Sequence, residues 1–371
     1  MSLDLGDREL LAETVARVVA MHAPVSGLEE TIGRPSGYEP ATWGLLAELG
    51  TAALLVSEDR GGMEQSMAEV VAVAMELGKV LMPGPFLGTA VHAAALLGRL
   101  DASDGAAALL ERIAAGEAVV AVVDGGSISA GPNGDGGWVV DGSAEYVLDA
   151  GHADTLLVAT SGFVAVVDPT NAVITPVAMA DQTRTVATVA FERLPVAHES
   201  VVGWGAGADA ARDGARACFE LALAADCVGG ADAVLQLAVD YAKTRHQFGR
   251  AIGSFQAIKH KLADMYVQVE AARAIVVEAG EAAARSDAPM LSSPMALAAA
   301  IAATDAYTSV AGDAIQVHGG IGFTWEHVCH RYFKRAWFNR ALLGGPTDLR
   351  RRFGVSLETE LAAPPNGHRR E

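Results

Sequence analysis

The sequence predicts an α+β chain in three parts: a helical N-terminal domain, a middle β domain of sandwich or barrel type, and a C-terminal helical bundle of the four-helix kind. Apolar residues in the first and last thirds recur every three or four positions, the stripe of a helix buried along one face. The middle third breaks instead into short runs rich in Val, Ile and Thr, bounded by Gly, Asp, Asn and Pro. A chain of 371 residues is long for one core, and with 51% hydrophobic residues it has ample material for two or three domains sharing a buried interior.

Residues 1–117 read as helical. Asp7 is placed to cap a first helix whose apolar side carries Leu11, Val15, Val18 and Val19. Further helices are expected over Ala41–Leu55, Met67–Leu81, Gly88–Leu100 and Gly105–Ala115, separated by the turn-forming strings SEDRGGME, MPGP and DASD. Residues 118–205 supply the strands AVVAVVD, GWVVDG, DTLLVAT, GFVAVVD, AVITPVA and TVATVAFERL. Asp181–Arg184, DQTR, is a polar turn between strands that reads either as structural or as an interface contact. Residues 206–361 return to helical periodicity, and 362–371, polar and Pro-bearing, read as a flexible tail.

Within the last part, Leu221, Ala225, Val228, Ala231, Leu235 and Val239 stripe one long helix, and Phe255, Ile258, Leu262, Met265, Val269, Ala272 and Val276 stripe the next. Between them runs RHQFGRAIGS, where Gly253 permits a sharp reversal and Ser254 can cap the second helix. Arg245 offers a fork of donors suited to phosphate, Gln247 an amide and Phe248 a flat apolar face, a set that suits a dinucleotide across a helix end. An ordinary interhelical turn is the competing reading.

Composition excludes some functions. Lys plus Arg at 27 against Asp plus Glu at 45 gives a net charge of -18, which argues against general affinity for nucleic acid or anionic membrane. Cys218, Cys227 and Cys329 are too few and irregular for a disulfide framework or zinc site. The N-terminus is acidic where a signal peptide is basic, and no apolar run is expected to reach the ~18 residues of a membrane span. A soluble, cytoplasmic protein is expected.

The string Tyr241–Met265, YAKTRHQFGRAIGSFQAIKHKLADM, together with Ala314–Phe323, AIQVHGGIGF, and the region around TWEHVCHRYFKRA, closely resembles the acyl-CoA dehydrogenase family over most of the last third of the chain. The resemblance implies an FAD enzyme that desaturates an acyl-CoA thioester between the α and β carbons and passes electrons to an electron-transfer flavoprotein. It assigns Arg245, Gln247, Phe248, Gln256, Gln316, Gly319 and Gly320 to the flavin of a neighbouring subunit.

The chain departs from the family elsewhere. Where the family carries a TEPGAGSD-like flavin loop the sequence reads VVDGGSISAGPNG, and where it carries Trp-x-Thr the sequence has Tyr146, Val147 and Leu148. The chemistry needs a carboxylate base. One family position for it falls on Leu343 or Gly344; the other falls on Phe219, beside Glu220, with Asp226 further along the same helix. Glu220 and Asp226 are the candidate bases, each competing with a solvated or salt-bridged role. His318 reads as an acid-base group or a packed side chain, and Lys334 and Arg335 as contacts to a CoA phosphate or acidic partner or as exposed salt bridges. His327 and His330 with Glu326 lack a fourth partner for a metal.

This pattern resembles the flavin-site-degenerate subunit of heteromeric acyl-CoA dehydrogenases of bacterial sterol side-chain breakdown, which implies a homologous partner chain in a dimer or tetramer. A self-sufficient homodimer using Glu220 or Asp226, and a non-catalytic structural subunit, are the rival readings.

Overall fold

A computed structural model describes residues 5–101, 103–134, 137–285 and 294–362. The expected tail, 362–371, lies outside the described residues apart from Ala362. The first helices are α1 (Leu5–His22), α2 (Leu28–Ile32), α3 (Pro40–Glu48) and α4 (Met67–Lys79). A π-helix (Phe86–Ala93) runs into α5 (Ala94–Leu97), and α6 (Asp104–Ala114) follows. Asp7 lies inside the first turn of α1 rather than ahead of it. The segment expected over Ala41–Leu55 is helical only to Glu48, because Gly50 takes φ +81 and turns follow. α4 starts on a capping box, in which the Ser66 hydroxyl accepts from Ala68 N–H while Glu69 accepts from Ser66 N–H.

The middle part holds β1 (Val120–Asp124), β2 (Ser129–Pro132), β3 (Trp138–Leu148), β4 (Thr155–Thr160), β5 (Phe163–Val167), β6 (Val173–Pro176), β7 (Val186–Val196) and β8 (Val201–Trp204). They form two sheets of order β1-β4-β5-β8 and β2-β3-β7-β6, with β1 and β4 parallel. Ala121, Val123, Leu156 and Val158 of one sheet pack against Val140, Ala144, Val189 and Phe191 of the other, so the domain is a sandwich. The short strands β2 and β8 were not among the sequence-predicted runs; SAGP and VVGW carry too few alternating residues to be recognised.

The last part comprises α7 (Gly205–Thr244), a two-residue hairpin of β9 (His246–Gln247) and β10 (Arg250–Ala251), α8 (Gln256–Ala284), α9 (Pro294–His318), α10 (Cys329–Leu342) and α11 (Gly345–Ala362). α7 corrects the expectation that no segment is apolar enough to span a bilayer, since its most apolar window has mean hydropathy 1.4. That window is 72% buried, because α7 is the central helix of the core, packed on α4, α8 and α9. Glycines let α4 and α7 cross backbone to backbone: a Cβ on Gly229 would lie 1.9 Å from the Met75 carbonyl oxygen, and one on Gly78 would lie 2.3 Å from that of Asp226. One continuous core thus joins Val70, Val73 and Leu77 of the first part to Leu221, Val228 and Val310 of the last.

The sandwich is tied to this core by a buried polar cluster. Arg335 of α10, fully buried, donates from Nε to Asp181 (3.0 Å) and Thr183 (2.9 Å) in the turn before β7, and its Nη1 faces Asp226 of α7 at 3.3 Å. Arg184 donates to the same Asp226 carboxylate at 2.8 Å and Asn339 at 2.8 Å. The DQTR turn is therefore structural. Arg335 is not the exposed or ligand-facing residue the sequence allowed, because its donors are spent inside the chain.

Candidate functional site

α7 ends where the Tyr241 carbonyl accepts Arg245 N–H at 2.8 Å and Arg245 turns extended. The β9–β10 pairing then forces a two-residue turn on Phe248 and Gly249, both left-handed at φ +54 and +80. Glycine accepts that conformation, whereas phenylalanine is strained in it, and the Phe248 ring is 91% exposed. Among the described residues its one ring contact is an edge-on approach to Phe255, centroids 6.2 Å apart, which leaves most of its apolar surface open to dock against something else. Arg245, Gln247 and Gln256 are exposed beside it. Gly253 serves by close approach, a Cβ there lying 2.9 Å from the Ala242 oxygen, and Ser254 donates to Ala251 O instead of capping α8.

The second string arrives at the same end. α9 stops at His318, Gly319 takes φ +64, and both Gly319 and Gly320 face open space, with Gln316 exposed one turn back. The stems are joined by the stacked rings of Tyr241 and His318, 4.5 Å apart, and by an ion pair between Lys261 of α8 and Asp313 of α9. All seven sequence-named residues thus share one exposed end of the bundle. A guanidinium, three amides, a flat ring and unobstructed glycine backbone fit a phosphate-bearing, flat-ringed cofactor approaching from outside.

A separate cavity of 470 Å³ lies where π-helix, sandwich and bundle meet. Gly88 and His92 line it from the π-helix; Asp124, Glu145, Tyr146, Val147 and Leu148 from the strands; Arg216, Phe219, Glu220, Leu342 and Leu343 from the bundle. The four places where the sequence departs from the family resemblance, at Asp124, Leu148, Phe219 and Leu343, therefore converge on one space.

Its carboxylates differ. Glu220 is 3% exposed and occupied: Oε1 accepts from Arg216 (3.0 Å) and Arg352 (2.7 Å), and Oε2 from Arg352 (2.9 Å). Asp226 does not line the cavity but sits in the Arg335 cluster, where the guanidiniums of Arg184 and Arg335 and the Asn339 amide outweigh burial and hold its carboxyl below the usual range. Neither is open to accept a substrate proton. Asp124, which the sequence reading passed over, is half-buried, and burial pushes its carboxyl up against the opposing pull of Arg216 and Arg212. The strand-end string VVD was its only signal. His92 stacks on Phe219 at 5.0 Å, its Nε2 is buried without a partner among the described residues, and burial together with Arg216 holds its pKa down at about 3.

His318 is 4% exposed and donates from Nδ1 to Ala314 O at 2.7 Å. Lys334 lies over the exposed Trp325 ring at 3.9 Å, an open cation–π contact. Among the described residues no three His, Cys, Asp or Glu side chains converge as a metal site.

Residues 219–354 match the family described as acyl-CoA dehydrogenase, C-terminal domain. Acyl-CoA dehydrogenase IpdE2 of Mycobacterium tuberculosis is 38% identical over 361 residues, covering 97% of this chain and 98% of that protein. The ChsE4–ChsE5 complex from Mycobacterium tuberculosis contains a chain that superposes with a TM-score of 0.87 at 26% identity, covering 98% of this chain and 99% of that one. A variant of the Tcur3481–Tcur3483 steroid acyl-CoA dehydrogenase superposes with a TM-score of 0.86 at 25% identity, covering 96% and 99%.

Proposed function

The chain belongs to the acyl-CoA dehydrogenase family, and on that premise we propose that it is one of two homologous subunits of an FAD-dependent acyl-CoA dehydrogenase, completing a flavin site that its partner mostly owns. The observation that carries this reading is the contrast between the two sites: the outward-facing cofactor set is intact, while the inward cavity has Leu148, Phe219 and Leu343 where hydroxyl and carboxylate are needed. Bound FAD would supply the hydride acceptor for the substrate β carbon. Toward it this chain brings Arg245 for a phosphate, the amides of Gln247, Gln256 and Gln316 for polar edges, Phe248 as an apolar cover, and Gly319 and Gly320 as backbone that a cofactor can approach. The base comes from the partner chain.

The two-chain complex and the steroid enzyme among the structural neighbours support a heterotetramer acting on a steroid-linked CoA thioester and delivering electrons to an electron-transfer flavoprotein. Acidic charge and three buried free thiols support a cytoplasmic setting.

Co-expression with a homologous dehydrogenase chain tests this, read by native mass and flavin stoichiometry. The chain alone is expected to be colourless and the complex yellow, with one flavin for every two chains. A yellow homodimer with one flavin per chain that oxidises acyl-CoA unaided refutes it. That rival reading would require another carboxylate of the cavity, Asp124 or Glu145, since Glu220 and Asp226 are occupied, and Asp124→Asn or Glu145→Gln would then abolish turnover. A complex that stays colourless would favour a structural subunit.

A further inference from the structure

The two loops that carry the cofactor-facing residues leave different helices, so their spacing depends on what lies between the stems. His318 lies there. Its ring stacks on Tyr241 of α7, with centroids 4.5 Å apart and planes 28° from parallel, and meets His327 on the far side of the turn at 4.5 Å. Tyr241 in turn accepts the N–H of Arg245 through its carbonyl, at 2.8 Å, so the ring that His318 holds belongs to the residue from which the Arg245 loop departs. On its own side the Gly319–Phe323 turn wraps tightly around His318: a Cβ on Gly322 would lie 2.9 Å from the His318 Cβ. Its neighbours Gln316, Gly319 and Gly320 are exposed, yet His318 itself is buried.

The tautomers are also determined. Donation from Nδ1 to Ala314 O leaves a lone pair on His318 Nε2, which is buried and has no partner among the described residues. His327 accepts Cys329 N–H on its Nδ1 at 3.2 Å and so keeps its proton on Nε2. With no hydrogen-bond partner on Nε2 among the described residues, the His318 ring is held by its Ala314 bond and by the rings on its two sides.

We infer that His318 is the positioning residue that sets the distance between the Arg245–Phe248 loop and the Gln316–Gly320 turn, and thereby the fit of this subunit to the shared cofactor. The inference rests on the function proposed above only for its second readout. Spin labels on Arg250→Cys and Ile321→Cys, both exposed while the three native thiols are buried, report the loop-to-turn distance in the chain alone. A narrow distribution is expected in the parent, a broadening of about two-fold or more in His318→Leu, and recovery in His318→Phe, which restores an aromatic ring against Tyr241.

In the co-expressed complex, FAD affinity should fall about ten-fold in His318→Leu and return to within about three-fold in His318→Phe, at unchanged native mass. A folded His318→Leu chain with the parent's distance distribution overturns the inference, as does a His318→Phe chain as broad as His318→Leu. A flavin-free parent complex would instead overturn the proposed function, leaving the distance measurement to decide the role of His318.

Discussion

Replacing Phe248 by glycine is expected to leave the isolated chain at least as stable as the parent while weakening flavin retention in the two-subunit complex. The ring is 91% exposed, so its removal forfeits almost no buried apolar surface within the chain. A left-handed conformation, here φ +54, costs an L-residue roughly 1–2 kcal/mol, which glycine avoids, while the extra backbone entropy of glycine costs roughly 0.5–1 kcal/mol. The net change in the free chain is therefore between zero and about 1.5 kcal/mol of added stability. The proposed complex would bury the ring, and burying a phenylalanine side chain is worth roughly 1.5–3 kcal/mol, or about ten- to hundred-fold in affinity. Urea unfolding of the single chain and fluorescence titration of FAD into the stripped complex measure the two effects. A chain destabilised by more than about 1 kcal/mol, or a complex that holds FAD as tightly as the parent, would refute the claim that this strained ring serves a partner.

Other consequences follow from the packing. Arg335→Met leaves Asp181 without its guanidinium and Asp226 with Arg184 as its remaining cation, and should cost roughly 3–5 kcal/mol in urea unfolding; a loss under about 1 kcal/mol would mean that the cluster does not tie the sandwich to the bundle. Burial raises the Asp149 carboxyl from 3.8 to about 6, against the Thr185 hydrogen bond and Arg184. Between those values the folded chain holds a proton that the unfolded chain releases, so stability falls as pH rises from about 4 to 6, by up to roughly 3 kcal/mol. Asp149→Asn should flatten that slope and be the more stable chain at pH 7; an unchanged slope would show that Asp149 ionises normally. Gly229→Ala, whose Cβ would meet Met75 O at 1.9 Å, should lose about 3 kcal/mol or more, whereas Gly105→Ala, facing open space, should gain up to about 1 kcal/mol. Equal effects would contradict the backbone-to-backbone crossing of α4 and α7.

Much of the architecture was legible because it is written in near neighbours. The stripes Leu221 to Val239 and Phe255 to Val276 involve residues three and four apart, and both lie on long helices of the bundle. The strand runs were found where Val, Ile and Thr cluster between turn residues, including the four-residue β6, and missed at β2 and β8, whose strings SAGP and VVGW carry few such residues. Capping went wrong at Asp7 and Ser254, where the helix start depends on the preceding chain path. In the string RHQFG residue types offered a donor fork, an amide and a ring, the flavin assignment came from the family resemblance, and neither foretold that Phe248 is left-handed and exposed.

What the sequence determined by itself is periodicity, composition and contiguous motifs: three structural parts, an acidic surface and an arginine–amide–phenyl turn beside a glycine pair. What the tertiary structure decided is every feature made by residues distant along the chain. Arg335 meets Asp181 across 154 positions, Glu220 meets Arg352 across 132, and Asp124 reaches the same cavity as Leu343. Whether a carboxylate is an open base, an occupied salt bridge or a buried staple depends on which guanidinium the fold brings within about 3 Å of it, because Coulomb attraction and desolvation act through space and not along the chain.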